Sequence, residues 1–111
     1  FVYAYNPEDN QLWIFQHKYL SPRLVLINPK IYQFRTRDFI YYSSGIFATA
    51  IEAIIQNSEN EFVNTLSLRA IDILRKYIFS AIREETDIKA REWVAINSIY
   101  SGLAISNSFP G

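Results

Sequence analysis

Hydrophobic positions change their period once along this chain, close to residue 36. Before that point the apolar residues come in short runs. Phe1 to Tyr5 is β-branched and aromatic, Asn6-Pro7-Glu8-Asp9-Asn10 is a turn cluster, and Leu12 to Phe15 is a second run. Two such runs around a polar turn predict an antiparallel hairpin. Tyr19 to Arg23 contains Pro22 and reads as a connector. Leu24-Val25-Leu26-Ile27 follows with no polar alternation, the pattern of a strand buried on both faces, and Asn28-Pro29 ends it.

From Thr36 onward the period is helical. A first helix is predicted over 37–56, with Thr36 as N-cap and Asp38 in the first turn, where the helix dipole favours an acid. It is apolar nearly all round, as the central helix of a bundle is. After Asn57-Ser58, the pair Ser58 and Glu61 has capping-box spacing and starts a second helix. Its apolar positions are Phe62, Leu66, Ile73 and Tyr77, with Val63, Ala70, Leu74 and Ile78 beside them, and its outer face carries Arg69, Asp72, Arg75 and Lys76. Arg83-Glu84-Glu85-Thr86 is the next loop, and Thr86 or Asp87 caps a third helix through Asn107. Ile96, Ile99, Tyr100 and Leu103 form its apolar face. Ser98, Ser101 and Gly102 interrupt that face, and a glycine inside a helix points to a place where another backbone comes close.

The fold class is therefore α+β: an N-terminal hairpin and a buried strand over residues 1–35, then an all-α three-helix bundle over residues 36–111. No internal repeat or low-complexity segment occurs. The 111 residues suit one modest domain or a piece of a larger one. Half of them are hydrophobic, with eight Tyr and eight Phe, which is ample for a core. Eleven acidic and eleven basic residues leave no basic field for a phosphate backbone, so nucleic-acid binding is not expected. Glu52, Arg69, Asp72 and Arg91 break the apolar stretches before they could span a bilayer, so no membrane partner is expected. No signal-peptide pattern opens the chain, and a cytoplasmic setting is expected. With Phe first and no Met anywhere, the sequence reads as a trimmed product, an excised domain or an incompletely represented chain.

Candidate chemistry is sparse. Cysteine is absent and His17 is the single histidine, which excludes thiolate sites and His-rich clusters within these residues. His17 has the pKa range of a general base, but beside Lys18 in a polar connector it reads as a surface residue. Glu84-Glu85 resembles a carboxylate pair, yet neighbours on a loop point apart, so a solvated turn is expected. Ser43, Ser44, Gly45, Ala48 and Ala53 read as small-residue helix packing, in preference to a pocket marked by Ser44 and Thr49.

Five segments in register resemble the iron-type (group III) alcohol dehydrogenases. They are the hairpin with its acidic turn; the apolar run closed by Asn28-Pro29-Lys30-Ile31; Ala50-Ile51-Glu52-Ala53; Leu68-Arg69-Ala70-Ile71-Asp72-Ile73-Leu74; and Ala90-Arg91-Glu92 leading to Gly102-Leu103-Ala104-Ile105-Ser106-Asn107. The resemblance covers the end of the family's nucleotide-binding domain, over residues 1–35, and the start of its metal-binding helical domain, over residues 36–111. It implies NAD(P) and a divalent metal, iron or zinc, as family cofactors, with oxidoreduction of a small alcohol or aldehyde as the ancestral activity. The relatives similar to dehydroquinate synthase and glycerol dehydrogenase share this architecture and are the nearest enzyme alternative.

The departures decide what to expect of this chain. The family's Asp and His metal ligands, one helical turn apart, fall on Gly45 and Thr49, and Ala50 to Ala53 fix that register. Glycine has no ligand atom, and a neutral hydroxyl is a poor substitute for imidazole. The family's two remaining metal histidines fall beyond Gly111, and its glycine-rich phosphate loop falls before Phe1. The resemblance also suggests that Glu52 orients the helix through a salt bridge or hydrogen bond. No catalytic, cofactor-binding or metal residue is therefore expected within these residues, and the reading is a fragment or degenerate member of the family without turnover. The alternative is a non-enzymatic interaction or scaffold module. Either form leaves apolar surface for a partner, as a homo-oligomer or with a complementing chain.

Overall fold

The computed structural model describes residues 2–15, 17–20, 22–28, 30 and 36–108. Phe1, Pro29, Ile31 and Gly111, which figure in the readings above, lie outside these, as do residues 31–35 at the inferred domain boundary.

Strands β1 (Val2–Asn6) and β2 (Gln11–Phe15) form the expected antiparallel hairpin, with Ala4 opposite Trp13 and Asn6 opposite Gln11. Short polar side chains shape its turn. Asn6 Oδ1 accepts from the Glu8 N–H and Asp9 Oδ1 from the Gln11 N–H, both at 3.1 Å. Asn10 takes φ 55°, the left-handed region that Asn tolerates better than most residues. All five β2 residues are exposed. A short 3-10 turn, Lys18–Leu20, follows.

Residues 24–28 form no strand, which corrects the expectation of a buried one: Leu26 is 85% exposed and only Ile27 is partly covered. A strand buried on both faces needs neighbours along both edges. The one sheet among the described residues is the two-stranded hairpin, which does not pair with this segment.

Helices α1 (Thr36–Gln56), α2 (Glu61–Arg83) and α3 (Ile88–Ser108) make the expected bundle, and none is long and apolar enough to cross a membrane. Helix α1 buries a single stripe of Phe39, Ser43, Ile46, Ala50 and Ala53 and exposes Ile40, Tyr41, Phe47 and Ile55. It is therefore a flanking helix, not the central one, and the α2–α3 interface is the most extensive. On α2, Val63, Ser67, Ala70, Ile73, Leu74 and Ala81 are buried and Phe62 is exposed. Asp72, on the outer face, pairs with Arg75 at 2.8 Å, Lys76 at 3.1 Å and Arg69 at 3.4 Å.

The largest departure is on α3. Its buried residues are Ala90, Arg91, Val94, Ala95, Asn97, Ser101, Ala104 and Ser108, while Ile99 and Leu103 face outward. Small side chains let the helix axes approach, and that closeness is worth more here than burying the larger aliphatic face. Tyr77 of α2 stacks on Trp93 of α3 with centroids 5.4 Å apart. Asn97 Nδ2 donates to the Ala70 carbonyl at 2.8 Å, tying the same two helices.

Two caps also differ from expectation. Asn60, not Ser58, caps α2: its Oδ1 accepts from the Phe62 and Val63 N–H groups, and a side chain directly at the boundary reaches these donors best. Asp87 caps α3 through the Ala90 N–H at 3.1 Å. Thr36 was expected to accept as an N-cap and instead donates, through its N–H at 3.2 Å and its hydroxyl at 2.8 Å, to Glu85 Oε1. Glu85 is thus an anchor between the α2–α3 loop and the start of α1, where the helix dipole favours a negative charge.

Arg91 closes the junction. It is 2% exposed, its Nε donates to the Ala81 carbonyl of α2 at 3.3 Å, and its guanidinium lies 4.7 Å over the Phe39 ring of α1. The two hydrogen bonds from Thr36, with the Arg91 charge adding to them, hold the Glu85 carboxyl below its usual range. A carboxylate whose folded pKa is depressed contributes stability above its unfolded pKa and loses it as pH falls through the folded value. Glu85→Gln should therefore lower the midpoint of urea unfolding at neutral pH, and the gap from wild type should close below about pH 4. Phe39→Ala, which empties a fully buried site, should cost about 3–5 kcal/mol in the same measurement.

Candidate functional site: a cleft between the first and third helices

Helical spacing builds the site from two facing stripes. On α1, Gly45, Thr49 and Glu52 recur at i, i+4 and i+7, and on α3 so do Ser98, Gly102 and Ile105, with Ser101 alongside. Between them lies a cleft of about 670 Å3, flanked by Tyr41, Tyr42, Ile46 and Ser106 and reached by Ile14 of the hairpin.

Both glycines face this space. A Cβ added at Gly45 or Gly102 would meet no neighbouring atom within 4 Å. The expected close backbone approach at Gly102 is therefore absent, and the interruption of the α3 apolar face marks a cavity wall instead. The small-residue packing expected along α1 holds at Ser43 and Ala53, which are buried, and fails at Ser44, Gly45 and Ala48, which are exposed. The Ser44 hydroxyl donates to the Ile40 carbonyl and lies in a separate apolar groove between α1 and α2.

Three hydroxyls along the cleft share one pattern of hydrogen bonding. Thr49 Oγ1 donates to the Gly45 carbonyl at 2.8 Å, Ser98 Oγ to the Ala95 carbonyl at 2.7 Å, and Ser101 Oγ to the Ser98 carbonyl at 3.2 Å. Each of these hydroxyl protons is held by the backbone of its own helix. Among the described residues Glu52 is the one charged residue lining the cleft. It is exposed, and among the described residues it forms neither the expected salt bridge nor the alternative hydrogen bond.

Of the residues singled out in the sequence, the fold brings Gly45, Thr49, Glu52, Ser98, Ser101 and Gly102 together. His17 stays outside, exposed in the connector, where its Nδ1 accepts from the Tyr19 N–H at 3.2 Å. Among the described residues no group of three or more His, Cys, Asp or Glu side chains gathers that could hold a metal ion. The junction roles of Arg91 and Glu85 were not foreseen; an arginine near the start of an otherwise apolar helix was the available signal for the first.

Comparison with known proteins gives a consistent picture. Residues 41–111 match the Fe-containing alcohol dehydrogenase family, C-terminal. An aldehyde-alcohol dehydrogenase of Clostridium acetobutylicum is 32% identical over 95 residues, a stretch that covers 83% of this chain and 11% of that relative. No solved structure matches the chain significantly.

The open wall gives a direct expectation. Gly102→Ala should raise stability by about 0.5–1 kcal/mol in urea unfolding, because it removes the backbone-entropy cost of glycine in a helix and meets no steric opposition.

Proposed function

Since this chain belongs to the Fe-containing alcohol dehydrogenase family, we propose that it descends from an NAD(P)-linked alcohol or aldehyde oxidoreductase and that its cleft no longer holds the catalytic metal. One observation carries the second part. The side chains at the two family ligand positions on α1 supply no free donor set: Gly45 has no side chain, and the Thr49 hydroxyl is turned back onto the Gly45 carbonyl. These residues do not fit a divalent ion, which needs two or more anionic or imidazole ligands at a shared point. A bound metal supplies a Lewis acid that polarises the substrate oxygen, and none of the described residues lining this cleft takes that role. What the lining keeps is the shape of a small-molecule site, with Glu52 at one end and Ile46 and Ile105 as apolar wall.

Elemental analysis of the purified protein tests this reading: less than about one tenth of an iron or zinc per chain is expected, and a stoichiometric metal overturns it. The double substitution Gly45→Asp and Thr49→His should raise zinc affinity at least about tenfold by calorimetry, since it restores two ligands one helical turn apart.

A second reading, an interaction module, is favoured by the outward aliphatic and aromatic residues Trp13, Ile14 and Phe15 of the hairpin and Ile99 and Leu103 of α3. Such surface is expected to be covered by a partner, either a second copy or a complementing chain. Light scattering after size exclusion should then give a single defined mass above that of one chain, and a monomer at micromolar concentration sinks the second reading.

A further inference from the structure

The polarity of the cleft points to a ligand class. A hydroxyl has one proton to give and two lone pairs to offer. At Thr49, Ser98 and Ser101 the proton is engaged with a backbone carbonyl of the same helix, so each oxygen has lone pairs left over for another donor. Glu52 adds a carboxylate with no partner among the described residues. Among the described residues no Lys, Arg or His lines the cleft to neutralise it. The lining that the described residues form therefore carries one negative charge and no cation, with acceptor capacity to spare at three hydroxyls, beside the hydroxyl groups of Tyr41, Tyr42 and Ser106.

Such a lining suits a cation that brings its own donors. A primary ammonium carries three N–H groups in a compact charged head, one for the carboxylate and another for Thr49 Oγ1, one turn away on the same helix. A hard divalent ion needs more anionic oxygen than a single glutamate gives. A neutral alcohol can give only one hydrogen bond. The glycine walls leave room for a short alkyl tail, since neither Gly45 nor Gly102 has a neighbour within 4 Å of a built Cβ, and Ile46 and Ile105 offer it apolar contact.

We propose that the α1–α3 cleft binds a small aliphatic primary ammonium, its head on Glu52 and its tail along Ile46 and Ile105. This rests on the reading that the cleft has lost its metal ion, and it adds the ligand chemistry that the remaining residues select.

Calorimetric titration of the purified protein with propylammonium chloride, 1-propanol and zinc chloride, at matched ionic strength, tests it. Propylammonium should bind saturably, with 1-propanol at least about tenfold weaker, because a hydrogen bond to a charged group is lost. Glu52→Gln, an exposed substitution with no internal partner to disturb, should weaken propylammonium at least about tenfold. Gly102→Leu should fill the cleft and abolish saturation. If circular dichroism shows that this variant does not fold, Glu52→Gln decides alone. Equal binding of propylammonium and 1-propanol, no saturable propylammonium binding, or affinity unchanged by Glu52→Gln overturns the proposal. Stoichiometric zinc binding overturns the metal-loss reading in a separate titration, so the two failures are told apart.

Discussion

One buried cation organises this fold. Arg91 leaves water almost completely, and a desolvated guanidinium is costly unless its surroundings supply acceptors and an opposing charge. Each helix contributes to that supply. The α2 backbone gives the Ala81 carbonyl, α1 gives the face of Phe39, and the loop before α3 brings up Glu85. Because Glu85 is itself held by the start of α1, the positions of the three helix ends are coupled through a few polar atoms. The apolar clusters around Phe39, Val94 and Leu74 fill in around this junction.

The rest of the bundle is held by closeness more than by bulk. A second cluster of Ala53, Val63 and Ala104 packs farther along the helices, and alanine, serine and asparagine occupy much of the α3 seam. Such a seam fixes the helix axes and leaves the α1–α3 side free to part. Where Gly45 faces the Ser98–Gly102 stripe, neither wall has enough side chain to close the gap, and the cleft is the result.

The helices were legible in the sequence because their breaks are chemical: Asn57-Ser58 and the run Arg83 to Thr86 cannot continue a periodic apolar pattern, and the three helices begin and end close to these breaks. The pairing of the hairpin was legible for the same reason. Which face of α3 is buried was not. Periodicity weighs side chains by hydrophobicity, so Ile99 and Leu103 outrank Ser101 and Asn97, yet the smaller residues won the interface. The segment Leu24 to Ile27 misled through the same weighting, since an apolar run states a preference for burial and cannot show what would cover it. The cleft was half legible: the small residues breaking the α3 face were noticed, but one sequence cannot distinguish a small residue that admits a backbone from one that leaves a space.

The bond between Thr36 and Glu85 also bears on the order of assembly. It joins residues 49 positions apart, whereas α1 and α2, like α2 and α3, are linked by a short loop. Closing a long loop sacrifices more chain entropy than closing a short one, so contacts local in sequence form first. Loop length is equal for the two pairs, so the more extensive α2–α3 interface makes that hairpin the natural nucleus, carrying Arg91 against Ala81, with α1 then fastened to it by Phe39 and Thr36. The cleft comes into being only with that last docking step, which makes it the part of the molecule most sensitive to incomplete folding.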